Sequence, residues 1–214
     1  MNRLIFTIIF LFSLSSFAAR SGKDVYSISC KACHGEKAEG GMPVVKEGQP
    51  VQGPNLTILK KEYLLGQFKV MKDGKRKGKG VEAMLKALKD AKITDEEVKA
   101  AIEYASKLPE MKSKHAKIGD AVKGKAKYVV CGTCHGPKGK GYFNPGIPAP
   151  RIVGQADFYI AETLKNFKDG HRGMDTPGGF QMRAMANATI GSEEDMKNVA
   201  AYIRSLEEEK KSEK

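Results

Sequence analysis

The chain contains no tryptophan, and aromatic residues make up only 7% of its 214 residues. Two domains of about 100 residues each would therefore have thin protein cores. A chain so poor in large side chains gains from an apolar group packed at its centre. After its first residues it also lacks any apolar run of the ~18 to 20 residues that spanning a membrane requires, so the mature protein is expected to be soluble. No cysteine lies outside two short motifs, and no βαβ pattern surrounds them. At 41% hydrophobic and 29% charged, what is present reads as a globular protein and not as a disordered chain.

The first residues do carry an apolar stretch. Asn2-Arg3 supply a short positive start, Leu4 to Leu14 form the run, and Ser15-Ser16-Phe17-Ala18 place small residues at the −3 and −1 positions. This is the pattern of a signal peptide cleaved after Ala18, so residues 1–18 are expected to be removed and the protein exported to the periplasm. No cysteine lies near the cleavage point to take a lipid anchor. Loss of Arg3 leaves 36 basic against 25 acidic residues, about +5 up to Glu110 and +6 beyond it. Export argues against nucleic acid as the partner of this charge; acidic protein partners or an anionic membrane surface fit better.

All four cysteines fall in one frame used twice, Cys30-Lys31-Ala32-Cys33-His34 and Cys131-Gly132-Thr133-Cys134-His135. C-x-x-C-H is the attachment signature of c-type haem. Two thiols three positions apart on a helical turn can each form a thioether to one haem vinyl group, with the adjacent histidine held beneath the iron. A disulfide framework would not explain a histidine after both pairs, nor the glycine that follows each, Gly35 and Gly136. A four-cysteine zinc site would need its pairs brought together, usually across a loop of about 15 to 20 residues; here they are far apart in sequence. Two covalently attached haem c groups are expected, on Cys30, Cys33, Cys131 and Cys134, with His34 and His135 as proximal ligands.

The similarity extends well beyond the motifs. Glu62-Tyr63-Leu64 recurs as Phe158-Tyr159-Ile160, and Phe68 to Arg76 recurs as Leu164 to Arg172, each with a shared Lys-Asp-Gly-x-Arg ending. Tyr104 and Leu108 match Tyr202 and Leu206. The chain is one unit repeated, with domains expected at 19–110 and 111–214, joined through the lysine-rich stretch around Pro109 to Gly119. Each half reads as short helices joined by loops, one of them the Gly- and Pro-rich run Asn144 to Pro150. A first helix enters the haem motif, and an amphipathic middle helix carries Tyr63, Leu64, Phe68 and Met71. A last helix opens with Thr94-x-x-Glu97 or Ser192-x-x-Asp195. No convincing strand pattern is present. The expected fold is all-α.

The second axial position decides between carrier and enzyme. The repeat filters the methionines: Met71 aligns with Phe167 and Met196 with Val98, both apolar helix positions, while Met42, Met111 and Met174 have no methionine partner. Met84 and Met182 coincide, each expected in the loop between the Asp-Gly turn and the last helix. Met185, three residues on, aligns with Ala87 and is the competitor for the second site. A thioether is a soft ligand that raises haem potential, as a carrier needs. His171 matches Lys75 and is expected to face solvent, and His115 lies in the linker.

The chain resembles the tandem dihaem class I cytochromes c, similar to the cytochrome c4 family. The residues that carry the resemblance are the two C-x-x-C-H-G motifs, Pro150-x-Ile152-x-Gly154-Gln155, Tyr159, Asp169-Gly170-His171-Arg172, the Met-bearing loop and Tyr202. The resemblance implies two class I cytochrome c domains with ligand pairs His34/Met84 and His135/Met182. It also implies that a proline carbonyl, here Pro54 or Pro150, accepts the proximal Nδ1–H. The first half departs from the pattern: Thr57-Ile58 stands where Gly-Gln would be expected. The implied function is electron transfer between respiratory donors and a terminal oxidase, which can be membrane-bound, or another reductase. It involves no catalysis and no small-molecule substrate. The alternative is a dihaem peroxidase or a cytochrome subunit of a larger oxidoreductase. Lys69, Lys72, Lys75, Lys77 and Lys79, with Arg76, are the candidate docking face for an acidic partner.

Overall fold

The computed structural model describes residues 19–41, 44–46, 49–113, 117–142, 149–174 and 176–208, with backbone alone for 44–46, 49–51 and 208. His115, Met42 and most of the Asn144–Pro150 loop lie outside the described residues. In the first half, α1 (Gly22–Val25) runs through a π-helical turn at Tyr26–Cys30 into α2 (Lys31–His34). A short hairpin follows, β1 (Val44–Lys46) antiparallel to β2 (Gln49–Val51) with Val44 opposite Val51. Helices α3 (Lys61–Lys72), α4 (Lys79–Asp90) and α5 (Asp95–Ser106) complete it. The second half repeats the plan as α6 (Ala121–His135), α7 (Asp157–Lys168), α8 (Pro177–Thr189) and α9 (Glu193–Glu208). Apart from the hairpin the architecture is all-α.

Local chemistry explains where the helices begin. Thr94 and Glu97 form a reciprocal capping box, with the Glu97 amide donating to Thr94 Oγ1 at 3.2 Å and the Thr94 amide to Glu97 Oε2 at 2.9 Å. Arg20 adds a forked ion pair to the same carboxylate, at 2.7 Å and 2.9 Å. In the second half the Asp195 amide donates to Ser192 Oγ at 3.1 Å. Asp120 caps α6 by accepting from the Val122 and Lys123 amides.

The motif helix of each half crosses the last helix at backbone contact. A Cβ added at Gly22 would lie 2.1 Å from the Ala100 carbonyl oxygen, and one at Gly124 would lie 1.9 Å from that of Asn198. No residue with a side chain fits either crossing. Measured from these crossings the halves are not in one register. Tyr26 stands four residues before Cys30, while Tyr128 stands three before Cys131. The π turn at Tyr26–Cys30 absorbs the extra residue, so crossing and haem motif keep their places in both halves. Tyr26 donates to the Gly35 carbonyl and Tyr128 to the Gly136 carbonyl, both at 2.7 Å. Each ring also leans on the tyrosine of the last helix, Tyr104 or Tyr202.

The structure corrects the expected loop positions of Met84 and Met182, which lie on helices α4 and α8. In α4, Val81, Met84, Leu85 and Leu88 form a stripe at helical spacing. Thr176 starts α8 by accepting from the Gly179 amide, with Pro177 in the first turn. The second half has one continuous core in which Tyr128, Ile160, Leu164, Phe167, Met196, Val199 and Ile203 pack together. The first half has two smaller clusters, one around Val25, Tyr26 and Ala101 and the other around Phe68, Leu88 and Val98, with Ile93 touching both. Met71 is only half-buried.

Gly124→Ala is expected to destabilise the protein by more than ~1–3 kcal/mol, because a methyl group there must displace backbone. The exposed neighbour substitution Lys125→Ala should stay within about 0.5 kcal/mol. Denaturant titration of the holoprotein compares the two.

Candidate haem-binding sites

Helix α6 delivers Cys131, Cys134 and His135 on its last turns. His135 is buried, and its Nδ1 lies 2.8 Å from the Pro150 carbonyl oxygen. A carbonyl can only accept, so Nδ1 carries the hydrogen and Nε2 keeps the lone pair that a metal needs. Burial lowers the ring's basicity against the opposing Pro150 contact, and Arg172 lowers it further, so the imidazole is held neutral. His34 repeats the arrangement with Nδ1 3.1 Å from the Pro54 carbonyl, and burial lowers its basicity too.

A cavity of about 1040 Å³ opens beside His135, at the upper end of the ~300–1000 Å³ typical of small-molecule sites. Its walls are largely apolar and include Cys131, Cys134, Ile160, Phe167, Met182 and Ile203, with Tyr63, Gln67 and Val70 contributed by α3 of the first half. This is the shape and chemistry that a covalently attached haem demands: an apolar slot, two thiols at one edge and an imidazole lone pair. Met182 is half-buried against the second core, while Met185 lines the same space but is 43% exposed. In the first half, Cys30 packs with the Tyr26 cluster and Met84 with the Phe68 cluster. A smaller cavity of about 180 Å³ lies beside Phe68, Leu88 and Val98, without Cys30, Cys33 or His34 in its walls. The second half's residues thus gather around one space, whereas those of the first are spread over two adjoining clusters.

Thiol chemistry does not favour the rivals. Burial, with Cys33 adding to it, pushes the Cys30 thiol up to about 11, and burial raises the Cys131 thiol as well. A dithiol built for redox exchange has its thiolate stabilised instead. Among the described residues no three His, Cys, Asp or Glu side chains gather as a metal cluster, so the two cysteine pairs do not form one zinc site.

Between the halves lies a polar seam. Asn55 and Gln155 bond reciprocally, the Asn55 amide to Gln155 Oε1 at 2.9 Å and Gln155 Nε2 to the Asn55 carbonyl at 2.8 Å. Arg172, 9% exposed, donates to Tyr63 Oη at 2.6 Å and to Gln67 Oε1 at 3.1 Å. Arg76 donates to Gln67 Oε1 at 2.7 Å and to Tyr159 Oη at 3.4 Å. Burial pushes the Tyr159 phenol up, but Arg76 and Arg172 outweigh it and bring it down to about 8. Arg76 therefore leaves the proposed docking face: it is half-buried at the seam because its partners lie there. Lys69 and Lys72 are ion-paired with Asp73 and Asp95, while Lys75, Lys77 and Lys79 stay exposed. His171 is exposed, and its carbonyl accepts from the Lys77 amide at 2.7 Å. In the sequence Tyr63 and Arg76 recur as Tyr159 and Arg172, and only Arg76 had an expected role, on the docking face. A polar pair repeated at one offset was the available signal.

Residues 121–207 match the family model described as "Cytochrome c", and residues 17–104 match "Cytochrome C oxidase, cbb3-type, subunit III". The chain is 35% identical to the "Thiosulfate dehydrogenase electron acceptor" of Thiomonas intermedia over 70% of this chain and 67% of that one. It is 27% identical to cytochrome c4 of Pseudomonas aeruginosa over 96% of this chain and 100% of that one. The solved structure of Acidithiobacillus ferrooxidans cytochrome c4 superposes with a TM-score of 0.60 at 28% identity, covering 84% of this chain and 99% of that one.

Met84→Ala and Met182→Ala should each remove part of the weak ferric absorption band that marks methionine-sulfur ligation, and Met185→Ala should leave it intact. An optical spectrum of each oxidised variant reads this. Survival of the full band in Met182→Ala would pass the role to Met185.

Proposed function

Since this chain belongs to the cytochrome c4-like dihaem cytochromes c and transfers electrons through two covalently bound haem c groups, we propose that it is a periplasmic shuttle between respiratory donors and a terminal oxidase or another reductase. On this reading the leader is cleaved after Ala18 and the domains span 19–110 and 111–214. Cys30 and Cys33 hold one haem between His34 and Met84, and Cys131 and Cys134 hold the other between His135 and Met182. Haem supplies a one-electron iron couple, and the protein tunes it through ligand identity, burial and hydrogen bonding. The His135 ring, fixed by Pro150 at a cavity that Met182 also lines, is the observation that carries this reading. With Met182 as second ligand, no coordination position would be left for a substrate, which favours a carrier over a peroxidase.

The relative named as an electron acceptor of thiosulfate dehydrogenase supports an oxidising enzyme of that kind as the donor. For the acceptor, the exposed Lys75, Lys77 and Lys79 support an acidic docking surface. The rate of electron transfer to a small acidic redox protein should fall as ionic strength rises, because exposed charges further apart than about 8–10 Å are screened near physiological salt. A flat salt profile would sink the docking surface. A five-coordinate, high-spin spectrum from the resting protein would sink the carrier reading.

A further inference from the structure

Beyond the two methionines that the repeat pairs, the second half carries another on the same helix. Met185 lies three residues after Met182 on α8, about 60° round the helix from it. Both line the large cavity, but Met182 is half-buried against the second core while Met185 is 43% exposed. Its neighbours Ala184 and Ala188 on α8 are themselves exposed and too small to cover it. In the first half the matching residue is Ala87, so no thioether stands there.

Among the described residues Met174 is the other exposed methionine; the rest are buried or half-buried. Arg183 Nη1 donates to the Met174 sulfur at 2.7 Å, which ties up a lone pair beside a cation and makes that sulfur a poorer nucleophile. A sulfur bound to iron, the role proposed for Met84 and Met182, is likewise engaged through its lone pair. Among the described residues no hydrogen bond reaches the Met185 sulfur, so it combines exposure with free lone pairs at the wall of the cavity. We propose that Met185 is the site at which peroxides modify this protein, and that its sulfoxide lowers the potential of the second iron centre alone. The proposal rests on the dihaem reading above, with Met182 as the axial ligand.

In the step, the thioether sulfur attacks one oxygen of hydrogen peroxide, an S–O bond forms and the O–O bond breaks. Sulfur is oxidised by two electrons and the peroxide is reduced; the transferred oxygen gives its proton to the departing hydroxide, which leaves as water. The product sets a polar group where an apolar one lined the cavity. A more polar wall stabilises the ferric form, which carries one more positive charge than the ferrous, and so lowers the potential.

The test adds a single equivalent of hydrogen peroxide to the oxidised holoprotein. Peptide mass spectrometry then locates the added oxygen while the ferric methionine-sulfur band is followed. Oxygen should appear at Met185 ahead of Met174 and Met182, with the band intact. Potentiometric titration should next show a few-fold fall in the reduction constant of one centre, the centre that Met182→Ala perturbs, and none at the other. Met185→Leu should abolish that fall, and Met185→Gln, which is polar and of similar length, should reproduce it without peroxide. Oxygen spread evenly over the methionines, or a sulfoxide at Met185 with both midpoints unmoved, would overturn the proposal. Loss of the band with oxygen at Met185 and none at Met182 would make Met185 the ligand, and the Met182 assignment would fall together with the proposal.

Discussion

Everything at each iron site depends on a ring that cannot turn. A proline carbonyl can only accept a hydrogen bond, so the His34 and His135 rings must present Nδ1–H to Pro54 and Pro150 and aim Nε2 the other way. That contact needs the motif helix to end at one place relative to the loop carrying the proline. The other end of the helix is pinned where Gly22 or Gly124 lets it touch the last helix backbone to backbone. Between these two fixed points the chain has no slack. The first half carries one residue too many there, and a π turn takes it up.

Pinning both ends also lets small cores suffice. The second half buries one continuous cluster, and the first buries two lesser ones. Neither contains a tryptophan, and the large cavity shows where the missing apolar volume belongs. The two halves are joined through polar groups, with a reciprocal Asn55–Gln155 pair and the crossed arginine–tyrosine bonds. Such a seam holds geometry and charge near the cofactors.

The repeat made much of this legible in advance. Both haem motifs, the capping residues Thr94 and Ser192, and the stop of α3 before Gly74 follow from local chemistry written in consecutive residues. The Met84 and Met182 positions stood out because two copies could be compared, although their placement in loops was wrong. In α4 the apolar residues Val81, Met84, Leu85 and Leu88 stand at helical spacing within a lysine-rich run. Arg76 was misjudged because in sequence it is one more cation in a basic run, and only its neighbours from the other half, Tyr159 and Arg172, draw it inward.

By itself the sequence determined what is covalent and what is local: two haem attachments, a histidine directly after each cysteine pair, helices of one kind, and two copies of one unit. Those depend on residues within a few positions of each other, and spacing encodes them directly. Tertiary structure alone decided which residues wall the large cavity, that Met182 sits deeper than Met185, and that Arg76 and Arg172 from different halves share the Gln67 side-chain oxygen. The first and last are relations between segments far apart in sequence, and the depth of Met182 depends on the helices packed against it; no periodicity reaches so far, and only packing brings the groups together.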